Sequence, residues 1–108
     1  MTCFHYSVTA TLPDEPTAAR FIDWLADGHI ADVVEAGAER GCVVRLDPTD
    51  EAPIRVEARY EFASRAAYEA YSAGPAVALR AEGVEKFGDA GVAFERRTGE
   101  ILASVPES

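Results

Sequence analysis

Nine residues, Ile54 to Phe62, alternate without a break: Ile54, Val56, Ala58, Tyr60 and Phe62 against Arg55, Glu57, Arg59 and Glu61. A period of two sends successive side chains to opposite faces of a strand, so this segment has one apolar face and one charged face. A sheet with one wet face is characteristically antiparallel. The short loop PTDEAP separates this strand from an earlier one, ERGCVVRLD, which makes the two a hairpin. That hairpin excludes a doubly wound parallel fold, which needs strict strand-helix alternation.

The remaining segments complete the order. FHYSVTAT alternates Phe4, Tyr6, Val8 and Ala10 against His5, Ser7, Thr9 and Thr11, and reads as a first strand. Asp14, followed by Glu15 and Pro16, marks the start of a helical region over about residues 16–36, which Gly37 stops. Ser64 caps a second helical region reaching about Phe87, broken at Gly74-Pro75 because proline cannot continue the hydrogen-bond ladder, and closed by Gly88. GVAFERR is a fourth strand, and Thr98-Gly99 is expected to turn the chain into a short fifth edge strand, EILASV. The order β-α-β-β-α-β predicts an α+β, ferredoxin-like domain spanning 1–108, with 98–108 as a C-terminal extension or short edge strand. Two kinked helices cover one face of its antiparallel sheet. In the second strand Cys42, Val44 and Leu46 are assigned to the apolar face, against Val43 and Arg45. The open face is then expected to carry His5, Arg45, Arg55, Glu57, Arg59, Glu61, Glu95 and Arg97. Alternating charge there fits either a solvated sheet face or a charge-matched interface in which two sheets close into a dimeric barrel.

Composition narrows the partners. A chain of 108 residues has room for one core, and a partner subunit would add to its stability. Its net charge of -9 argues against nucleic acid and against an anionic membrane surface. No apolar run approaches the ~18 residues of a membrane span. MTCFHYS lacks a basic-then-apolar leader, so the cytoplasm is the expected location. Cys3 and Cys42 lack the spacing of a zinc or redox motif and read as small hydrophobes. There is no phosphate loop, nucleophile elbow or HExxH, which argues against nucleotide-dependent chemistry and triad hydrolysis; no cofactor and no metal are expected.

The chemistry-bearing candidate is His29, in FIDWLADGHIADVVEAG. Projected at 100° per residue, the apolar arc centres near Phe21 and Leu25 before Asp27 and near Val33 after it, a shift of about 130°. An uninterrupted amphipathic helix does not drift so far, so the helix bends or restarts at Asp27-Gly28, with Asp27 capping the second piece. His29 would occupy that piece's first turn, where the helix dipole disfavours added positive charge and favours a neutral imidazole. It serves either as a filler of the bend or as a base, hydrogen-bond donor or ligand-pocket residue. A metal site built from His29, Asp32 and Glu35 is a third, weaker alternative. Tyr6, Trp24, Tyr60 and Tyr68 are the candidate walls and polar anchors of a pocket for a flat, largely apolar ligand; the alternative is that these aromatics are simply core. Arg45 and Arg59 could hold an acidic ligand or pair with Glu57, Glu61 or Glu95.

The elements W-L-x-x-G-H-I-x-x-V (Trp24 to Val33), the Gly37 stop, V-V-R-L, Y-E-F, Tyr68 with Tyr71, and K-F-G-D…V-A-F together resemble a bacterial family of unknown function of about this length. Gly28 stands where members of that family often carry a charged residue, which implies a sharper bend. The family is similar to the dimeric α/β-barrel superfamily of cofactor-independent monooxygenases, muconolactone-type isomerases and haem-binding chlorite dismutases. The resemblance implies a homodimer joined through the sheet faces, with any pocket between sheet and helices of each subunit. It transfers no catalytic role onto His29, since one fold hosts many functions. Two functions remain open: a cofactor-free oxygenase, isomerase or cyclase acting on a small flat molecule, and a non-catalytic binding or accessory dimer whose pocket is filled by its own side chains.

Overall fold

The computed structural model describes residues 3–106. Its strands are β1 (Phe4–Thr11), β2 (Arg40–Arg45), β3 (Arg55–Phe62) and β4 (Ala93–Glu100). Its helices are α1 (Glu15–Trp24), α2 (Ile30–Glu35), α3 (Arg65–Ala73) and α4 (Pro75–Phe87), and a kinked segment, Leu25–His29, joins α1 to α2. The strands form one antiparallel sheet in the order β2-β3-β1-β4, the ferredoxin-like arrangement.

Local chemistry sets the boundaries. Asp14 accepts a hydrogen bond from the Thr17 backbone N–H at 2.8 Å and starts α1, and Ser64 accepts one from Ala67 N–H at 3.1 Å and starts α3. Each cap satisfies one of the donors a helix start leaves unpaired. Pro75 opens α4 in the first helical turn, where its missing N–H is not needed. Gly37 ends the α2 region at φ 146°, a backbone conformation that L side chains rarely adopt.

The inner sheet face presents Phe4, Tyr6, Ala10, Val56, Ala58, Tyr60 and Phe62, all buried, to Phe21, Leu25, Val33, Tyr71 and Phe87 of the helical layer. Two aromatic centres result. One gathers Phe4, Tyr6, Phe62, Tyr68 and Tyr71. The other gathers Phe21, Trp24, Phe87 and Phe94.

Three expectations are corrected. β2 has the opposite phase: Gly41, Val43 and Arg45 pair with Tyr60, Ala58 and Val56, so they share the helix-side face. Cys42 is exposed opposite Arg59 on the open face, and Arg45 reaches Glu15 of α1 at 2.5 Å. The reason is Gly41. A Cβ there would stand 2.9 Å from Ile30 Cγ2 and from Tyr60 Cδ1, so the helix-side position is held by the residue with no side chain to mark it as apolar. The expected turn at Thr98-Gly99 is also absent. β4 continues through both residues because β1 offers an eight-residue edge, with Thr98 opposite Tyr6 and Gly99 opposite His5. Among the described residues 101–106 no strand is formed, and Glu107 and Ser108 of the expected extension lie outside the described residues. Third, Asp27 does not cap a new helix: the chain passes through Asp27 (φ -91°, ψ 19°) and Gly28 (φ 153°, ψ -35°) without a side-chain cap.

The open face carries Arg40, His5, Glu57, Arg59, Glu61, Glu95 and Arg97, and its charges are matched. Arg59 pairs with Glu57, Arg97 with Glu95 at 2.7 Å, and Arg40 with Glu61 at 3.3 Å. Thr9 Oγ1 also donates to Glu57, which is buried despite lying on this face. Among the described residues no helix is long and apolar enough to cross a membrane.

Candidate functional site

The site grows from the kink at Asp27-Gly28, where both residues leave helical backbone geometry. The Ile30 N–H donates to the Leu25 carbonyl across it. A helix that restarts at a glycine kink takes a new direction, which accounts for the phase shift in the sequence pattern. Gly28 absorbs the distortion. With nothing within 4 Å of a Cβ placed there, its requirement is conformational, not steric. The kink at Asp27-Gly28 folds the start of α2 back over the end of α1, and the His29 imidazole stacks on the Trp24 indole with centroids 4.0 Å apart and planes 25° apart.

Trp24 is held from two sides. Its Nε1–H donates to Glu82 Oε1 of α4 at 3.0 Å. Its ring rests on Gly83, where a Cβ would come within 3.2 Å of Cη2. The indole thus acts as a fixed plate under His29. Burial pushes the imidazole pKa below its ordinary value, with Glu82 and then Asp32 opposing the shift. The neutral imidazole expected from sequence is therefore favoured, but by desolvation and not by a helix dipole. His29 Nδ1 is buried and, among the described residues, has no hydrogen-bond partner.

Beside it lies a cleft of about 50 Å³ between sheet and helices. Trp24, Tyr60 and Phe94 wall it, and Arg80 and Arg96 stand in its lining with His29. Burial drives the Tyr60 hydroxyl well above its usual range, so it stays a neutral donor. Of the four expected wall residues, Trp24 and Tyr60 are at this cleft. Tyr6 and Tyr68 belong to the other aromatic centre, although Tyr6 stacks on Tyr60 with centroids 5.7 Å apart. His29, Asp32 and Glu35 do not converge, and among the described residues no three His, Cys, Asp or Glu side chains are placed to hold a metal ion.

Sequence reasoning missed Arg80 and Arg96, yet both carried a signal. Ala76, Gly83 and Phe87 are the buried stripe of α4, and Arg80 falls on the same stripe by its 4-3-4 spacing. Arg96 is two residues beyond Phe94 and opposite Val8, on the inner face of its strand. A cation at a core-phase position is the unusual feature in each case.

A larger depression of about 380 Å³ lies on the open face, among His5, Arg40, Cys42, Arg59, Glu61 and Ile101. Its walls mix the ion-paired Arg40, Glu61 and Arg59 with Tyr60, Ile101 and Ser104.

The fold recurs in solved structures. A dimeric ferredoxin-like protein from an uncultured marine organism superposes with a TM-score of 0.69 at 18% identity, covering 100% of this chain and 95% of that one. A monooxygenase of Streptomyces coelicolor, in complex with nanaomycin D, gives 0.71 at 15% identity over 99% and 94%. SnoaB, a cofactor-independent oxygenase of Streptomyces nogalater, gives 0.67 at 14% over 99% and 100%. These likenesses show the fold. No curated protein matches the sequence. The sequence matches a domain of unknown function, DUF4286, over residues 3–101, and the chain belongs to that family.

Proposed function

We propose that the protein is a homodimer joined through its open sheet face, and that each subunit uses the cleft beside His29 to bind a small, flat, largely apolar molecule. His29 serves there as proton acceptor or hydrogen-bond donor in a cofactor-free oxygenase, isomerase or cyclase reaction. The observation that carries this is the buried, unpartnered Nδ1 of an imidazole held against a fixed indole at the wall of a cleft. Buried polar atoms are nearly always paired, and one left open at a cavity wall is most simply completed by a ligand. A base kept neutral near pH 7 can remove a proton from an acidic C–H or O–H of the bound ring, the step these reaction types share. The oxygenases among the structural neighbours support oxygenase chemistry as the first of these to test. Free Cys3 and Cys42 suit a reducing, cytoplasmic setting. The charge-matched open face and the dimeric ferredoxin-like neighbour support the dimer.

The second reading, a non-catalytic dimer with a filled pocket, is favoured by one number. A cleft of about 50 Å³ holds a few waters, whereas benzene needs a cavity of roughly 150 Å³. A ring therefore enters only if exposed rim side chains such as Arg96 and Val84 swing outward.

Two measurements separate the readings. With Trp24 as the sole tryptophan, quenching by a planar hydroxyaromatic reports entry beside His29. Oxygen uptake with the same compound, in wild type and in His29→Phe, reports chemistry, and a loss of about 10²-fold in the variant is expected. Quenching with equal turnover in both proteins would reduce the site to a binding pocket, and no quenching at all would leave the filled-pocket dimer.

A further inference from the structure

We infer that the molecule this cleft takes is an anion: a planar aromatic carboxylate, its ring lying along the Trp24 side and its carboxylate meeting Arg80 and Arg96. The inference rests on the cleft being a ligand site, and adds what that ligand must carry. Of nine arginines, five, Arg40, Arg45, Arg59, Arg65 and Arg97, are ion-paired with glutamates. Arg20 and Arg55 donate instead to the Thr17 hydroxyl and the Asp47 carbonyl, and among the described residues the two in the cleft lining are not ion-paired either. Arg80 is half-buried and donates only to the Ser72 carbonyl at 3.1 Å. Arg96, whose Cζ lies 6.0 Å from the Phe94 ring centroid, has no carboxylate partner among the described residues. In a chain of net charge -9, the cleft lining holds two guanidinium groups and no carboxylate.

The placement is selective. Both arginines stand at core-phase positions, on different elements, and converge on one cavity whose other walls are largely aromatic and aliphatic. Guanidinium groups tolerate such surroundings when a carboxylate completes their donors, and the planar fork matches that group. Glu82, whose charge acts on His29, is engaged by the Trp24 N–H. His29 Nδ1 then faces the ring, not the anion, and its neutral form avoids a third positive charge in the cleft.

The test compares 2-naphthoate with 2-naphthamide, its neutral near-isostere, by calorimetry on the wild-type protein at pH 7.5. Naphthoate is expected to bind at least about tenfold more tightly, the usual gain from charge-assisted hydrogen bonds. Arg96→Gln, at an exposed side chain, should remove most of that preference and leave amide affinity unchanged; Arg80→Gln should do the same where melting shows it folded. Equal binding of the two compounds would overturn the anion assignment while leaving the cleft as a ring-binding site. Failure of both to bind would overturn the assignment together with the ligand site beneath it. A preference for naphthoate that persists in Arg96→Gln and in folded Arg80→Gln would place the anion elsewhere and overturn the assignment as well.

Discussion

His29 lies stacked on Trp24 at 4.0 Å because the chain kinks between them at Asp27-Gly28, where the backbone leaves helical geometry and α2 starts afresh. The stack depends on Gly28, whose φ of 153° is closed to residues with a Cβ.

Gly28→Ala is accordingly expected to destabilise the fold by about 1–3 kcal/mol, the usual range for a residue forced into a sparsely populated backbone region. The added methyl meets no atom within 4 Å, so the loss reports backbone conformation alone. Denaturant unfolding followed by Trp24 emission would measure it. A change of less than 0.5 kcal/mol, roughly the effect of an ordinary surface substitution, would mean that the kink can relax to an α-helical path.

His29→Phe separates packing from chemistry. Phenylalanine keeps a flat ring over the indole and removes the buried, unpartnered Nδ1, so stability should be unchanged or raised by up to about 1 kcal/mol. His29→Ala loses the stack as well and should be the less stable of the two variants by ~1 kcal/mol or more. If His29→Phe were strongly destabilised, the imidazole would have to be making a hydrogen bond that fixes the bend.

The same histidine gives stability a pH dependence of known sign. Its pKa is lowered in the folded state, first by burial, while in the unfolded chain it is about 6.5. The unfolded state therefore binds the proton more readily, and stability falls as pH drops. The full contribution is present above about pH 6.5, is lost as the pH falls toward the folded pKa, and does not change further below it. The difference in unfolding free energy between wild type and His29→Phe, followed from pH 8 to 5, should move against wild type on acidification. Glu82→Gln should push the imidazole titration lower still, since Glu82 is the first of the two carboxylates that raise it. An upward shift in a proton NMR titration of the variant would contradict that placement of charge.

Much of this site was legible in the residues. The loss of helical phase between Leu25 and Val33 located the distortion, and the position of His29 after Gly28 came with it. The two helical pieces meeting at Asp27-Gly28 are as the pattern indicates; that the second starts without a side-chain cap was not legible, because an aspartate before a helix reads the same whether or not it bonds. Of the expected wall residues, Trp24 and Tyr60 reach the cleft and Tyr6 and Tyr68 do not. Strand alternation gives the face of a side chain, but not its position along the sheet relative to a helix. Arg80 and Arg96 escape notice for a related reason: each sits on an apolar stripe, and a stripe is read from its apolar members.

The phase of β2 is hidden in the sequence because a glycine holds a core position, and that position yields the sharpest test of the fold. At Gly41 a Cβ would lie 2.9 Å from both Ile30 and Tyr60, closer than real Cβ contacts. Gly41→Ala must displace a buried tyrosine or the start of α2, and should cost about 1–3 kcal/mol, as overpacking does. Gly99, in β4, has nothing within 4 Å of its Cβ position. Gly99→Ala adds the same methyl to the same kind of backbone and should be neutral or slightly stabilising, since alanine loses less chain entropy than glycine on folding. The two substitutions differ only in which face of the sheet and which neighbours they meet, so their difference isolates the β2 register. If both alanines were neutral, Gly41 would not lie under Ile30, and the opposite phase, with Cys42 and Val44 facing the helices, would be restored.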